Sequence, residues 1–247
     1  TDGTTNQVLT TNGAGTLSWT NGIAAIPGSA NTTLRHNGTT WIANGNVLND
    51  GNNLITTNDA QIHGLTLGRG AGAVASNTAL GYQALFKNTT GKYNVASGYK
   101  ALYNNTEGEQ NTASGYAALF KNTKGNYNTA SGHQALYANT TGKNNTASGY
   151  RALFNNNTGE FNTASGYQAL FTNTTGKYNT ASGILALFTN ATGEQNTALG
   201  HRALFTNTTG KYNTASGAFA LTFNTNGEYN TASGFAALYA NTTGKEN

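Results

Sequence analysis

Small, apolar and polar positions recur along the last two thirds of this chain with a fixed period of seventeen residues. One unit, Asn111–Tyr127, reads NTASGYAALFKNTKGNY, and the pattern runs ten times without a break from Asn77 to the end of the sequence. Its central glycines stand seventeen apart, from Gly81 through Gly115 and Gly149 to Gly234. A fixed period of this kind marks a repeat architecture, in which each unit is stabilised by stacking on its neighbours.

The copies share an invariant skeleton, NxAxGxxALxxNxxGxx. Asn opens every copy (Asn77 to Asn230), Ala holds the third position (Ala79, Ala96), and the Ala84-Leu85 pair recurs throughout, as do Asn88 and Gly91. Two glycines per unit predict two corners or bulges. Asn tolerates left-handed backbone, and identical Asn side chains stacked coil on coil can form amide ladders. Leu with the neighbouring aromatic (Phe86, Tyr103, Phe120) is the main apolar content of a unit. Position two is Thr except for Val95, and position four is Ser except for Leu80 and Leu199. These exchanges point to partly buried, tightly packed sites.

The unit is too short for a helix-turn-helix repeat and meets turn residues every few positions. Its short β-branched and aromatic runs, bounded by Asn and Gly, read as strands. Two strands of about five residues and two corners fill one unit. The predicted fold is all-β: a parallel β-roll or β-solenoid of ten 17-residue coils over 77–247, rising about 48 Å at ordinary strand spacing. Position sixteen reads Lys92, Glu109, Asn126, Lys143, Glu160, Lys177, Glu194, Lys211, Glu228, Lys245. Its alternating sign favours one coil per repeat, with opposite charges stacked directly.

Residues 1–58 follow a different pattern. Gln7–Thr11 and Thr16–Thr20 alternate around Asn12–Gly15; Thr33–His36 and Thr39–Ile42 flank Asn37-Gly38, a hairpin turn signal. Val47–Leu48 and Asn53–Thr57 flank Asp50-Gly51. The expectation is a meander of small β-hairpins anchored by Trp19 and Trp41. Residues 59–76 read as a coupling segment or a degenerate first coil, ahead of the repeat domain at 77–247.

Composition narrows the function. Charged residues are 9% of the chain, Cys and Met are absent, and Pro27 is the one proline. Without Cys there is no disulfide, zinc finger or cysteine nucleophile. Absence of Met marks a mature or excised chain. The net charge of +4 is spread among alternating Lys and Glu rather than blocked, so no nucleic-acid partner is predicted. No apolar run approaches membrane length, and no membrane contact is expected within this stretch. Each coil offers about one Leu and one aromatic, at ~1.5–3 kcal/mol apiece, against ~1–2 kcal/mol of backbone ordering per residue. Association of chains is therefore expected, and three rolls about an axis would bury a second face on the Ala and Thr/Ser columns.

The unit NTASGYxALFxNTTGxY resembles the NTAIGYQALxxNTTGxxN repeats of bacterial and phage fibre proteins. More distantly it resembles the NSVAIG-type repeats in the heads of YadA-like trimeric autotransporter adhesins. The likeness covers Asn77–Asn247 and is strongest at the NTAxG core, as in Asn196–Gly200. The unit here is longer than the YadA type, and Ser usually replaces the aliphatic residue before Gly. The leader TNQVLTTNGAGTLSWTNG resembles segments of Bacteroidetes surface and fibre proteins. The resemblance implies a left-handed roll, a homotrimer and an extracellular, cell-surface or virion-like setting.

Catalytic chemistry has little to stand on. His36, His63, His133 and His201 are scattered. The Ser column (Ser97, Ser114, Ser131) has no partnered base, and Gly68–Gly72 lacks the strand–helix context of a phosphate loop. No enzyme, cofactor or metal is predicted. The recurrent Asn-x-Thr sequons, at Asn88, Asn139 and Asn173, read as corner chemistry rather than glycan sites. The Thr174-Thr175 and Thr208-Thr209 pairs would stack as an ice-ordering face, but Glu107, Lys124 and Asn157 interrupt it. The expected function is a rigid fibre or adhesin segment that spaces a surface and offers a lateral face to a receptor, matrix or glycan. That face is predicted at Tyr99, Lys100, Tyr116, His133, Gln134, Tyr150, Arg151, Tyr167, Gln168, His201 and Arg202. Alternatives are a phage or contractile-injection tail fibre, and a subunit that polymerises end to end, because the sequence stops in mid-motif and an uncapped roll can accept another coil.

Overall fold

The computed structural model describes 7–11, 17–21, 32–36, 41–49, 54–56 and 60–62 as backbone, and the chain from 65 to 247, with side chains from Leu67 on except that of Ala73. The chain divides into two units, Thr1–Asn58 and Asp59–Asn247. In the first, β1 (Gln7–Thr11) pairs antiparallel with β2 (Leu17–Asn21). A separate sheet joins β3 (Thr32–His36), β4 (Trp41–Asn49) and β5 (Leu54–Thr56), all antiparallel, with a register shift between Thr32 and Thr33. β4 begins at Trp41, opposite His36; Thr39 and Thr40, where the Asn37-Gly38 signal predicts the strand to start, lie outside the described residues. The three turns and the anchoring side chains of Trp19 and Trp41 lie outside the described residues.

The second unit opens with an antiparallel hairpin, β6 (Ala60–Ile62) and β7 (Leu65–Gly68). β7 then pairs antiparallel with β8 (Thr78–Gly81), placing Leu67 opposite Leu80. A 3-10 turn at Ala71–Ala73 crosses the same end, and Ala71 N–H donates to Leu85 O at 3.0 Å. An antiparallel strand thus covers an edge that would otherwise accept pairing.

From β8 onward every strand is parallel: β9 (Val95–Ser97), β10 (Thr112–Ser114), β11 (Thr129–Ser131), β12 (Thr146–Ser148), β13 (Thr163–Ser165), β14 (Thr180–Ser182), β15 (Thr197–Leu199), β16 (Thr214–Ser216) and β17 (Thr231–Ser233). Thr112 faces Thr129 and Ala113 faces Ala130, so the register step is one repeat. The repeat region is a parallel β-solenoid of about nine turns of 17 residues.

Each coil holds one strand, of four residues in the first and three in the others, not two of about five. The sequence itself carries the reason. Successive side chains in a strand point to opposite faces, but Ala118 and Leu119 are adjacent and both fully buried. The backbone sends both inward by leaving the β region: Ala117 has φ 52° and Leu119 has φ 52°, with Ala118 between them at negative φ. A third left-handed residue, Tyr127 at φ 59°, precedes the next coil. Left-handed backbone costs an L-residue roughly 1–2 kcal/mol. Cross-coil hydrogen bonds continue through this wall regardless: Leu119 N–H donates to Ala135 O at 3.0 Å and Lys121 N–H to Tyr137 O at 2.9 Å.

The core contains Ala, Leu and Asn. The Leu column from Leu85 to Leu221 is fully buried. The aromatic beside it is partly buried rather than in the core: Tyr103 through Phe205 are intermediate, and Phe86 in the first coil is 50% exposed. Both Asn columns are buried, and they form the amide ladders that stacking implies. Asn122 Nδ2 donates to Asn105 Oδ1 at 2.7 Å and to Gly125 O at 3.0 Å, and its own Oδ1 accepts from Asn139 Nδ2 at 2.8 Å. In the other column, Asn111 Nδ2 donates to the same Gly125 carbonyl at 2.8 Å, while its Oδ1 accepts from Asn128 N–H at 3.0 Å. No buried side-chain polar atom among the described residues lacks a partner, which makes an amide-rich interior tolerable.

The two invariant glycines are required for different reasons. Gly132 has φ 132°, and a Cβ there would stand 2.5 Å from Gly149 O. Gly125 has ordinary φ, but a Cβ would strike Gly142 O and the Asn122 amide. One is set by backbone conformation, the other by the two amide ladders converging on its carbonyl.

Candidate binding face

The strand wall and the wall from position six to position eleven present different chemistry. On the strand wall Ala points inward, and Thr and Ser point outward, exposed in strand after strand, as at Thr146 and Ser148. Within one chain these side chains are not the partly buried sites that their Thr/Val and Ser/Leu exchanges imply.

Past the central glycine, position six forms a stacked row. Tyr82, Tyr99, Tyr116, His133, Tyr150 and Tyr167 follow one another with ring centroids 4.8–5.3 Å apart. Ile184 ends the row. His201 lies beyond it, edge-on to Phe219. A second row at position ten runs from Phe86 to Phe205 at 5.1–5.3 Å. Offset stacks of this kind contribute ~0.5–1.5 kcal/mol a pair beyond burial.

Position seven lies between the two rows. Lys100 Nζ sits 5.1 Å from the Tyr99 ring and 5.7 Å from the Tyr103 ring, and Arg151 is 5.2 Å from Tyr150 and 5.3 Å from Phe154. Arg151 Nε also donates to Gln134 Oε1 at 2.8 Å, one coil away. Gln168 is half-buried in the same column. Arg202 lies 5.2 Å from Phe205. A side-chain hydrogen bond with Tyr99 raises the pKa of Lys100 above the ordinary lysine value, and the nearby phenols add to it.

The structure therefore gathers Tyr99, Lys100, Tyr116, His133, Gln134, Tyr150, Arg151, Tyr167 and Gln168 on one wall, and sets His201 and Arg202 further along it, past the break at Ile184. Sequence reasoning missed the second row, because it assigned the aromatic after Leu to the core. Leu and Phe are neighbours in the chain, and that adjacency was the available signal.

The corner beyond carries the charge column. Lys177 reaches Glu160 at 3.0 Å, Lys211 reaches Glu194 at 3.2 Å and Lys245 reaches Glu228 at 2.9 Å. The Glu160 hydrogen bond raises the pKa of Lys177. Lys124 pairs with Glu107 at 3.1 Å, both at position fourteen. The position-thirteen Thr hydroxyls at the same corner are already committed: Thr174 and Thr208 donate to the next coil's carbonyls at 2.9 and 3.0 Å. The sequon residues Asn88, Asn139 and Asn173 are buried. Lys121, Thr140, Asn155 and Thr172 line a shallow groove of ≈ 380 Å³ beside the second aromatic row. Among the described residues no three His, Asp or Glu side chains converge to hold a metal, and no helix is long and apolar enough to cross a membrane.

No known protein family, curated protein or solved structure matches the chain.

Proposed function

We propose that the chain is a segment of a non-enzymatic extracellular fibre or adhesin: a rigid, left-handed roll of ten coils that associates as a homotrimer and presents a lateral binding face. The observation that carries this reading is the contrast between the two walls. The strand wall is flat, short-chained and uncharged, and lets a second copy approach closely. The other wall holds half-exposed aromatics and fixed cations, which suit an outward position. The amide ladders favour a spacer, because they fix every coil to the next by buried hydrogen bonds. Three strand walls turned to a common axis would remove the Thr and Ser columns from water and leave the aromatic rows facing outward.

Light scattering at several concentrations tests the arrangement. A stable mass of three chains is expected, reduced to one chain by the pair Thr146→Lys and Thr163→Lys with circular dichroism retained. A folded monomer of the unaltered chain overturns the trimer. Mass that grows without limit as concentration rises would instead favour end-to-end polymerisation.

A further inference from the structure

The repeat region from Asn77 to Asn247 carries eleven Lys and Arg and six Glu. They are unevenly placed. In positions fourteen to seventeen, six lysines meet six glutamates, and four pairs close at 2.9–3.2 Å. That corner is neutral. The remaining five cations, Lys87, Lys100, Lys121, Arg151 and Arg202, all stand on the aromatic wall, whose positions six to eleven contain no acid in any copy. The whole positive surplus of the repeats thus lies on one side of the coil. Each of the five sits 5.1–5.7 Å from a ring centroid, and among the described residues none of them makes an ion pair.

The rings add to the same preference. In both rows the faces are taken by the neighbours above and below, so what remains outward is ring edge and phenol O–H. The edge is the positive part of the aromatic quadrupole, and the phenol donates. Cation, ring edge and hydroxyl all favour an anion, along a line parallel to the stack. A nucleobase needs an open ring face to stack on, and the rows offer few. Charge density points the same way. At a rise of about 4.8 Å per coil, the five cations fall one to three coils apart, about 5–14 Å, whereas a DNA strand carries a charge every ~3.4 Å.

From this complementarity we infer that the aromatic wall binds an extended acidic polysaccharide, with uronate carboxylates on the Lys and Arg heads and sugar hydroxyls on the Tyr O–H groups, Gln134 and Gln168. The inference rests on the fibre reading in one respect, that the aromatic wall faces outward.

The test is binding of the full chain to immobilised polygalacturonate, with neutral dextran and oligo(dT) as competing probes. Polygalacturonate is expected to bind with an affinity that falls as salt rises, and dextran is not. The variant K100Q/R151Q/R202Q should bind about tenfold weaker. The variant K177Q/K211Q/K245Q removes the same charge from the corner and should stay within about twofold. If the first variant melts early, Arg151→Gln alone should weaken binding about twofold with unchanged melting. No binding, equal binding of dextran, equal weakening by both triple variants, or tighter binding of oligo(dT) would each overturn the inference. Light scattering on the same samples separates the two readings. Three-chain particles that ignore polygalacturonate sink the ligand and leave the fibre, whereas monomers that bind it sink the trimer and leave the ligand.

Discussion

The strand wall and the aromatic wall are stacked with the same period and joined coil to coil by the same kind of backbone hydrogen bond, yet only one of them is β-structure. At Thr112–Ser114 the chain is extended and its side chains alternate. At Ala117–Leu119 two of three residues are left-handed, and two neighbours point inward together. Parallel stacking therefore depends on identical coils in register rather than on extended backbone. What each wall exposes follows from that choice: strict alternation leaves short hydroxyls outside, and broken alternation leaves large rings outside.

The largest effect should come where the two walls meet. Gly132→Ala places a Cβ against Gly149 O at a φ that L-residues rarely adopt. A loss of roughly 3 kcal/mol or more is expected, from strain and displacement of the next coil. Urea unfolding followed by hydrogen exchange checks it, and fast exchange confined to the adjoining coils would show that the damage stays local.

Next comes the interior that both walls share. Asn139→Ala removes a donor to Asn122 Oδ1 and an acceptor for Asn156 Nδ2. Asn156 Nδ2 keeps Gly159 O, and Gly142 O keeps Asn128 Nδ2, so Asn122 Oδ1 is the one atom stranded outright. About 2–4 kcal/mol should be lost in the same unfolding measurement. A loss under about 0.5 kcal/mol would mean that water replaces the missing amide, and the ladder would not be what rigidifies the rod.

The smallest effect is the sharpest test of the comparison, because its sign differs between walls. Thr163 is exposed in a strand, where glycine costs about 0.5–1 kcal/mol. Gln168, five residues on, sits at φ 51°, which glycine adopts without the left-handed penalty. Thr163→Gly should lower the thermal midpoint and Gln168→Gly should raise it, each by about 0.5–1 kcal/mol equivalent. The same sign for both would show that the two walls do not differ as described.

Much of this was legible from the columns. The period, the register of one coil per repeat, the amide ladders and the opposed charges at Glu160–Lys177 and Glu194–Lys211 follow from which residues recur and at what spacing. The cross-section was not legible, because it turns on residues that give no conformational signal. Gln83, Leu85 and Tyr93 are ordinary L-residues at φ 51–57°, and left-handed backbone at such positions cannot be read from propensity, which assigns it to Gly and Asn. The misplacement of the Phe86 column is a separate miss. In a strand the residue directly after an inward Leu points outward, and that alternation was the signal not used. The polar and Tyr positions of the candidate face could be picked from the columns, while the second row beside them and the freedom from acids became visible only once positions six to eleven were seen as one surface.

The paired amide columns also have a consequence for length. Because each coil offers the next the same donors and acceptors, the repeat region behaves as a ruler graduated in single coils. Removing seventeen residues shortens it by one division, about 4.8 Å, and leaves every remaining amide with a partner. Removing any other small number brings a wrong column against the ladder and strands polar groups in the interior. Recombination between near-identical copies can therefore change the reach of the repeat region in whole divisions while leaving its amide ladders continuous.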